Sequence, residues 1–392
     1  MNALMQTYGR CDLAFERGEG VYLFTADGRR FLDFASGIAV NALGHSHPHL
    51  VEALIEQGRK LWHTSNLYRI PGQERLAERL AAATFADKVF FANSGVEAVE
   101  CGVKLIRKYH DDFGDPNRYR VIAFEGSFHG RTLTALAAAG NEKYSKGYAP
   151  AVEGFDHCAF GNLNEVRAKI GPETAAILVE PVQGEGGMRA AEIEFLQGLR
   201  KVCDEFGLLL MFDEVQCGVG RTGRFFAHEW AGIAPDILAT AKGIGGGFPL
   251  GVCLATDRVA AAFQPGAHGT TFGGNPLAMA IGNAVLDVIL APGFLDQVNA
   301  VAAHLDARIH ELLRRFPATF VGLRGKGLMR GLKCADGITN TDLVTQLRGL
   351  GLLTVAAGDN VLRLLPPLIV THAEVDSAID MLAAAAAEAK AA

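Results

Sequence analysis

The sequence predicts an α/β protein built on a mainly parallel sheet with helices on both faces. Short apolar runs alternate with segments whose apolar residues recur at helical spacing, from residues 88–92 through residues 250–255. This alternation is typical of strand–helix–strand units, which assemble into parallel sheets. With 392 residues, of which 49% are hydrophobic, the chain is long enough to bury a large core.

Each element of the sheet is predicted by an apolar run and each helix by apolar residues on one face. We expect strands at residues 88–92, 120–124, 175–180, 208–213, 236–241 and 250–255, with helices at residues 96–109, 132–138 and 192–206.

The start and the last third of the chain have a different pattern, and the last third predicts a smaller α+β domain packed on the first. Residues 20–34 form a predicted hairpin around an Asp27-Gly28 turn, followed by two helices at residues 50–62 and 72–83. The stretch from Pro276 to Phe316 is predicted to be helical. The β-like segments and the last helix that follow are predicted at Val321, residues 328–333, 352–355 and 361–365, and from Thr371 onward.

Composition excludes several classes of partner. Lys and Arg total 37 and Asp and Glu total 43, so the net charge is −6, and no run of like charge occurs. This balance does not favour nucleic acid or an anionic membrane as a partner. The N-terminus has neither a basic region nor an apolar core, and we therefore expect a cytoplasmic protein.

The cysteines and histidines do not predict a metal site. Seven cysteines occur without a Cys-x-x-Cys pair, which is typical of reduced thiols. Three histidines, at positions 45, 47 and 49, alternate in one loop, but Pro48 interrupts them and no carboxylate or cysteine stands at ligand spacing. We expect no metal.

One lysine stands where an apolar strand ends. Residues 236–241 are followed by Lys242, and five glycines occur within the next nine residues. A lysine at the end of a strand buried on both faces is desolvated, which lowers its pKa and makes the amine a nucleophile able to form a Schiff base. A lysine that extends its ammonium to solvent beside a flexible loop is the alternative.

The ends of the other strands carry further polar residues. In open parallel sheets ligands bind beyond the carboxyl ends of the strands, so these residues are expected to converge. Ser94 can cap a helix whose first N–H groups, at Gly95 and Val96, would bind an anion; an ordinary capping turn is the alternative. Phe128 offers an aromatic face and Arg131 a guanidinium.

Carboxylates close two more strands. One run ends at residues 180–185 (EPVQGE) and another at residues 213–216 (DEVQ). Acids after strands are also common on protein surfaces. A lysine, an acid, an aromatic plate and a helix N-terminus together match what pyridoxal 5'-phosphate requires, whereas no Gly-x-x-x-x-Gly-Lys-Ser/Thr loop for a nucleotide is present.

Seven motifs in order give the chain a family resemblance over essentially its whole length. They are residues 37–45 (GIAVNALGH), 93–98 (NSGVEA), 127–132 (SFHGRT), 179–185 (VEPVQGE), 212–216 (FDEVQ), 241–243 (AKG) and 270–276 (TTFGGNP). The sequence resembles the class III, fold type I aminotransferases. The resemblance implies a large domain at residues 60–274 and a small domain made from residues 1–59 and 275–392.

The resemblance also implies roles for single residues. Lys242 would form the Schiff base and move the proton, and Asp213 would keep the pyridine nitrogen of the cofactor protonated. The remaining cofactor contacts would come from Gly95, Val96, Phe128, Val215, Gln216 and, across a homodimer interface, Thr271. Substrate contacts would come from Arg131, Thr270, Glu185 and Arg363.

The implied reaction transfers the terminal amino group of N2-acetylornithine to 2-oxoglutarate, as in arginine biosynthesis. Succinylornithine, succinyldiaminopimelate, ornithine and 4-aminobutyrate are alternative donors, and a relative that only binds a ligand is the alternative from another class. In place of Ile38, ornithine-specific relatives carry a tyrosine, which favours an acylated donor here; enzymes acting on 4-aminobutyrate also have isoleucine.

Overall fold

The computed structural model describes residues 3–389. In chain order the strands are β1 Arg17–Glu19, β2 Tyr22–Phe24, β3 Arg30–Asp33, β4 Lys88–Ala92, β5 Arg120–Phe124, β6 Phe155–Cys158, β7 Thr174–Val179, β8 Val182–Gln183, β9 Arg189–Ala190, β10 Leu209–Asp213, β11 Ile237–Thr240, β12 Gly251–Ala255, β13 Phe320–Lys326, β14 Met329–Cys334, β15 Leu352–Leu353, β16 Val355–Ala357 and β17 Val361–Leu364.

The helices begin after the first hairpin. They are α1 Pro48–Gly58, α2 Pro71–Ala83, α3 Gly95–Phe113, α4 Leu133–Ala139, α5 Glu142–Ser145, α6 Leu163–Lys169, α7 Ile193–Phe206, α8 Asp257–Ala260, α9 Pro276–Ile289, α10 Phe294–Arg315, α11 Asn340–Gly349 and α12 His372–Glu388. Two short 3-10 turns lie at Ala227–Ala231 and Lys242–Gly245.

A seven-stranded sheet forms the centre of the molecule and confirms the predicted α/β class. Its strand order is β4-β12-β11-β10-β7-β5-β6. Only β12 runs antiparallel to its two neighbours, and the other neighbouring pairs are parallel. The predicted strands are all present, and β6 is an addition that the sequence pattern did not predict.

Helices cover both faces of this sheet. Alternate residues of a strand accordingly pack into two different hydrophobic clusters. In β10, Leu210 and Phe212 pack into the larger core, and Leu209 and Met211 pack into a second one against α3. The strands β7, β10 and β11 are buried along their entire length. Burial on both faces explains why these strands read as continuous apolar runs.

Three smaller sheets accompany the central one, and two of them are formed by strands from the ends of the chain. The hairpin β1-β2-β3 is extended by β15, which pairs in parallel with β3. The strands β13-β14-β17-β16 form a second sheet, and β8-β9 a third. Strand β17 carries Arg363 and therefore brings a residue from the end of the sequence close to the loop after β8.

Two structural features bear on the partner and metal expectations. Within residues 3–389 no single helix is long and apolar enough to cross a membrane, although α9 and α10, bent by 69°, meet the length and composition criteria as a pair. The same residues hold no group of three or more His, Cys, Asp or Glu that could bind a metal ion. Instead, His45 pairs with Asp33 and His49 with Asp287.

Candidate active site

A cavity of about 380 Å³ lies at the carboxyl ends of the central strands. Seven of the residues given a catalytic or cofactor-binding role line it together: Gly95, Val96, Phe128, Asp213, Val215, Gln216 and Lys242. Val40, His129 and Glu180 also line the cavity and had no assigned role. The residues that follow the parallel strands therefore meet at this edge of the sheet, as the topology of the sheet predicts.

Lys242 follows β11, whose four residues are all buried. Burial lowers the pKa of the Lys242 ammonium; Arg363 lowers it further, and the carboxylates of Glu185, Asp213 and Glu180 oppose the shift. Within the described chain, no hydrogen bond or ion pair to its amine is observed. The residue has a φ of +48°, which a non-glycine residue adopts only when its surroundings enforce it.

Asp213 is held in one orientation by two hydrogen bonds. Its Oδ1 accepts from the backbone N–H of Val215 at 3.0 Å, and its Oδ2 lies 2.8 Å from Nδ1 of His129. Asp213 and His129 are both buried, and Nε2 of His129 has no partner among the described residues. The Oδ2 atom of Asp213 is therefore bonded to His129, which belongs to the loop after β5.

Glu180 is a second buried carboxyl group at this edge. Burial raises the pKa of Glu180 well above its usual value, and the nearby Asp213 carboxylate raises it further. Its Oε2 accepts a hydrogen bond of 3.0 Å from the backbone N–H of Phe128. The raised pKa favours the protonated form of Glu180, and the same side chain holds the backbone that carries the aromatic ring of Phe128.

The N-terminus of α3 has the features of an anion-binding site. Ser94 caps the helix by accepting from the N–H of Glu97, and the Glu97 carboxylate accepts from the N–H of Asn93 at 2.8 Å. A Cβ at Gly95 would lie 2.6 Å from Cγ1 of Val215, so only glycine permits this close approach. The unpaired N–H groups of the first turn and the helix dipole favour a negative charge there.

Arg131 lies outside the cavity, on an aromatic side chain. Its guanidinium carbon is 4.1 Å from the ring centroid of Tyr144 and 5.5 Å from that of Phe128. It forms no ion pair with any residue of the described chain. An exposed, stacked guanidinium without an anionic partner is free to bind a carboxylate.

Arg363 differs from Arg131 in being buried and paired. Its Nη1 lies 2.5 Å from Oε1 of Glu185 and 3.4 Å from Oε1 of Gln216. The Arg363 side chain is 2% exposed, whereas that of Glu185 is 23% exposed. The carboxylate of this pair can therefore reach solvent, and the guanidinium cannot.

The two threonines of residues 270–276 lie apart from the cavity within one chain. Thr270 Oγ1 accepts from the N–H of Gly273 at 3.1 Å and borders a neighbouring cavity. Thr271 is exposed, and Phe272 beside it is 62% exposed. The structure of a single chain does not bring Thr271 to the other predicted residues.

Sequence reasoning missed the roles of His129 and Glu180. Both lie within motifs that were identified, but their partners are 84 and 52 residues away in the chain. His129 could have been found from its position next to Phe128. Neighbouring residues in extended backbone point in opposite directions, so His129 is expected to face away from the ring that Phe128 contacts. For Glu180 the signal is an acid directly after a fully apolar run.

These groups fit a flat ring that bears an aldehyde, a basic nitrogen and a phosphate, which is the chemistry of pyridoxal phosphate. The amine of Lys242 would bind the aldehyde, and the Asp213 carboxylate would pair with the ring nitrogen. The N-terminus of α3 would bind the phosphate. Fold and site thus define a pyridoxal-phosphate-dependent transferase.

Comparison with known proteins identifies the family. Residues 5–386 match the family Aminotransferase class-III. The chain belongs to this family, and it is an aminotransferase that depends on pyridoxal phosphate. It is 59% identical over 385 residues to a protein of Mesorhizobium japonicum named acetylornithine aminotransferase, covering 98% of this chain and 96% of that protein.

Solved structures give the same result. The N-acetylornithine aminotransferase of Stenotrophomonas maltophilia superimposes with a TM-score of 0.85 at 37% identity, covering 97% of each chain. An amine transaminase from an uncultivated Pseudomonas species, solved with pyridoxal phosphate bound, superimposes with a TM-score of 0.91 at 29% identity, covering 100% of this chain and 98% of the other.

Replacing Lys242 tests whether its amine is the cofactor attachment point. Lys242→Ala should lower kcat by about 10⁴-fold or more, because it removes both the attachment point and the base. In native protein, borohydride reduction followed by peptide mass spectrometry should find the cofactor on Lys242, and equally in the exposed control Lys146→Ala. Attachment to another lysine would contradict the assignment.

The protonation of Glu180 has a consequence for stability. Because the pKa of Glu180 is raised in the folded state, its stabilising contribution is full below its ordinary value of 4.5 and is lost as the pH rises through the raised value. In cofactor-free protein, the Tm of Glu180→Gln minus the Tm of the wild type should therefore increase as the pH rises. The exposed control Glu194→Gln should show no such trend; an identical trend in both variants would refute the account.

Proposed function

We propose that this aminotransferase moves the terminal amino group of N2-acetylornithine to 2-oxoglutarate, giving N-acetylglutamate 5-semialdehyde and glutamate. The observation that carries the proposal is the different availability of two arginines: Arg131 is unpaired and exposed, whereas Arg363 is buried against Glu185 and influences the Lys242 amine. The name of the 59%-identical relative supports the donor. A role in arginine biosynthesis in the cytoplasm belongs to the same proposal, which the seven free cysteines support.

The central acid–base chemistry is assigned to Lys242 and Asp213. Bound pyridoxal phosphate supplies an electron sink for the carbon that bears the amino group. Lys242 is the base that moves the proton from that carbon, since its depressed pKa leaves the amine unprotonated more easily. Asp213, oriented by His129, keeps a proton on the ring nitrogen.

The remaining cofactor contacts are assigned from the lining of the cavity. Phe128 and Val215 would pack on the ring, and Gln216 would bond its phenolic oxygen. The backbone N–H groups of Gly95 and Val96 would hold the phosphate at the start of α3, where backbone donors make the side chain of Val96 unimportant.

A homodimer is proposed to complete the phosphate site through Thr271 of the partner subunit, with Thr270 near the substrate. Support comes from large apolar side chains that stay exposed in one chain. Leu67 is 87% exposed, Trp62 and Tyr68 are 67% exposed, and Phe272 is 62% exposed. Exposed apolar surface of this kind marks interaction sites.

We also propose the domain division into residues 60–274 and a small domain from residues 1–59 and 275–392, which the separate terminal sheets support.

Removing one hydroxyl tests the shared site. Thr271→Ala should weaken cofactor retention by about tenfold, the loss of roughly one hydrogen bond to a charged group, without changing the Tm of the cofactor-free protein. Dialysis against decreasing cofactor concentration measures this, with Thr345→Ala as the surface control. A fully active monomer at low concentration would contradict the shared site.

Donor selectivity tests the proposed substrate. The α-carboxylate of the acylated donor would pair with Arg131, and the apolar Ile38 offers no hydroxyl to hold the charged α-amine end of free ornithine. The kcat/KM for N2-acetylornithine should therefore exceed that for ornithine by about 100-fold or more, because a desolvated, unpaired ammonium is costly. Comparable efficiencies would refute the proposal, and a higher efficiency with 4-aminobutyrate would favour that rival donor.

The two half-reactions need opposite charges at one point, and Glu185 is proposed as a removable partner for Arg363. With the donor, whose reacting carbon bears no carboxylate, Glu185 neutralises the guanidinium. With 2-oxoglutarate, Arg363 binds the carboxylate beside the carbonyl and Glu185 moves toward solvent. An unpaired buried guanidinium against a methylene chain would otherwise cost roughly 3–5 kcal/mol.

Neutralising Glu185 should shift substrate preference. In single-turnover measurements, Glu185→Gln should raise the rate with glutamate relative to N2-acetylornithine by about tenfold, since Arg363 is then permanently available (~1.4 kcal/mol). Glu192→Gln, an exposed acid after the β8-β9 hairpin, serves as the control. An unchanged ratio in Glu185→Gln would remove the switch from the mechanism.

A further inference from the structure

Four consecutive residues before the first long helix have left-handed backbone. Their φ angles are +48° at Ser36, +61° at Gly37, +67° at Ile38 and +62° at Ala39. Glycine adopts this conformation freely, but a side chain destabilises it by about 1–2 kcal/mol per residue. Three strained non-glycine residues within four positions persist only because the surrounding structure enforces them. We call residues 36–39 the left-handed segment.

The carboxylate of Asp33 holds the left-handed segment at its beginning. Its Oδ1 accepts from the N–H groups of Ala35 and Ser36, each at 2.9 Å, and its Oδ2 lies 2.8 Å from Nε2 of His45. The side chain of Asp33 is 2% exposed and that of His45 is 14% exposed. His45 is itself fixed, because its N–H and carbonyl bond the backbone of Gly20. One buried carboxylate therefore joins the start of the segment to the chain that follows it.

The left-handed segment is also bracketed by the chain that follows Arg363. The carbonyl of Phe34, before the segment, accepts from the N–H of Leu365 at 2.7 Å, and the carbonyl of Ala42, after it, accepts from the N–H of Leu368 at 2.7 Å. On the other side, a Cβ at Gly243, the residue after Lys242, would meet Cβ of Ala42 at 3.6 Å. The chain on both sides of the segment is thus bonded to residues that follow Arg363, and Ala42 also lies beside the glycine loop of Lys242.

Val40 connects the left-handed segment to the chemistry. It returns to negative φ directly after the segment, and it lines the same cavity as Lys242. Its position is therefore set by the four residues before it. An apolar wall there suits the methylene chain of a donor that reacts at its terminal amine.

We infer that Asp33 is a positioning residue for amino transfer: by holding the left-handed segment, it fixes Val40 as a wall of the cavity beside Lys242. Asp33 does not touch the reacting atoms. It acts through backbone geometry, so its loss lets the strained segment relax and moves the wall against which the donor's chain packs. The inference rests on the proposed function only for the choice of donor.

Two replacements of Asp33 in the holoenzyme separate its contacts. Asp33→Asn keeps an oxygen that can accept from Ala35 and Ser36 but removes the charge facing His45, whereas Asp33→Ala removes all three contacts. The KM for N2-acetylornithine should rise by about threefold in Asp33→Asn and about tenfold in Asp33→Ala, while kcat per cofactor-loaded site changes by less than about twofold. Asp156→Ala, which removes a partner of Arg120 far from the cavity, should lower the Tm without raising the KM.

A double-mutant cycle tests whether Asp33 acts through Val40. Val40→Ala alone should raise the KM, and adding Asp33→Asn to Val40→Ala should have little further effect, because the wall that Asp33 positions is already gone. Additive effects would overturn the inference. So would an Asp33→Asn variant whose Tm and cofactor loading fall while its KM stays unchanged, the result expected of a purely structural residue.

Failure of the proposed donor is distinguishable from failure of this inference. If wild-type protein does not turn over N2-acetylornithine, the proposed function fails, and the same cycle is then measured with whichever amine gives the highest kcat/KM. Because the cycle compares variants with one donor, its result depends on Asp33 and Val40 alone. Should Asp33→Ala not fold, Asp33→Asn carries both measurements.

Discussion

A buried guanidinium is the constraint on which the rest of the site depends. Arg363 is 1% exposed, and an arginine cannot shed its charge, so the surrounding structure must supply an anion and further acceptors. Glu185, Gln216 and the carbonyl of Ala356 do so, and they come from three separate elements. The terminal strand is thereby fixed over the loop that follows β8. Because Gln216 also lines the central cavity, the charge state of this pair is felt beside Lys242.

Burial shapes the other charges at this edge of the sheet. Desolvation lowers the pKa of Lys242 and raises that of Glu180, and both shifts move these groups toward their neutral forms. One cavity thus brings together the Lys242 amine, the Glu180 carboxyl group and the hydrogen-bonded side chain of Asp213. In so dry an environment, each fixed dipole or charge affects a bound molecule more strongly than it would in water.

Much of this could be predicted from the sequence, for reasons that particular residues show. Strands buried on both faces are continuous apolar runs, so the sequence predicted the strands of a mainly parallel sheet and the position of Lys242 at a strand end. Strand β6 was not predicted, because its sequence FDHC at the sheet edge has two polar residues between two apolar ones and contains no apolar run. Helix α11 was also missed, since few of its residues are apolar. The pairings of His129 with Asp213 and of Asp33 with His45 join residues 84 and 12 positions apart, which no local pattern records. The predicted role of Thr271 stays a prediction, because it requires a second chain.

The central claim is that one guanidinium is masked in one half-reaction and exposed in the next. Structures of the enzyme with a bound, unreactive analogue of N2-acetylornithine and with a bound analogue of glutamate test it most directly, through the distance from Arg363 Nη1 to Glu185 Oε1. The account predicts that this contact, 2.5 Å in the present structure, is kept with the acetylornithine analogue and broken with the glutamate analogue, whose α-carboxylate takes its place. An ion pair that stays intact in both complexes would contradict it.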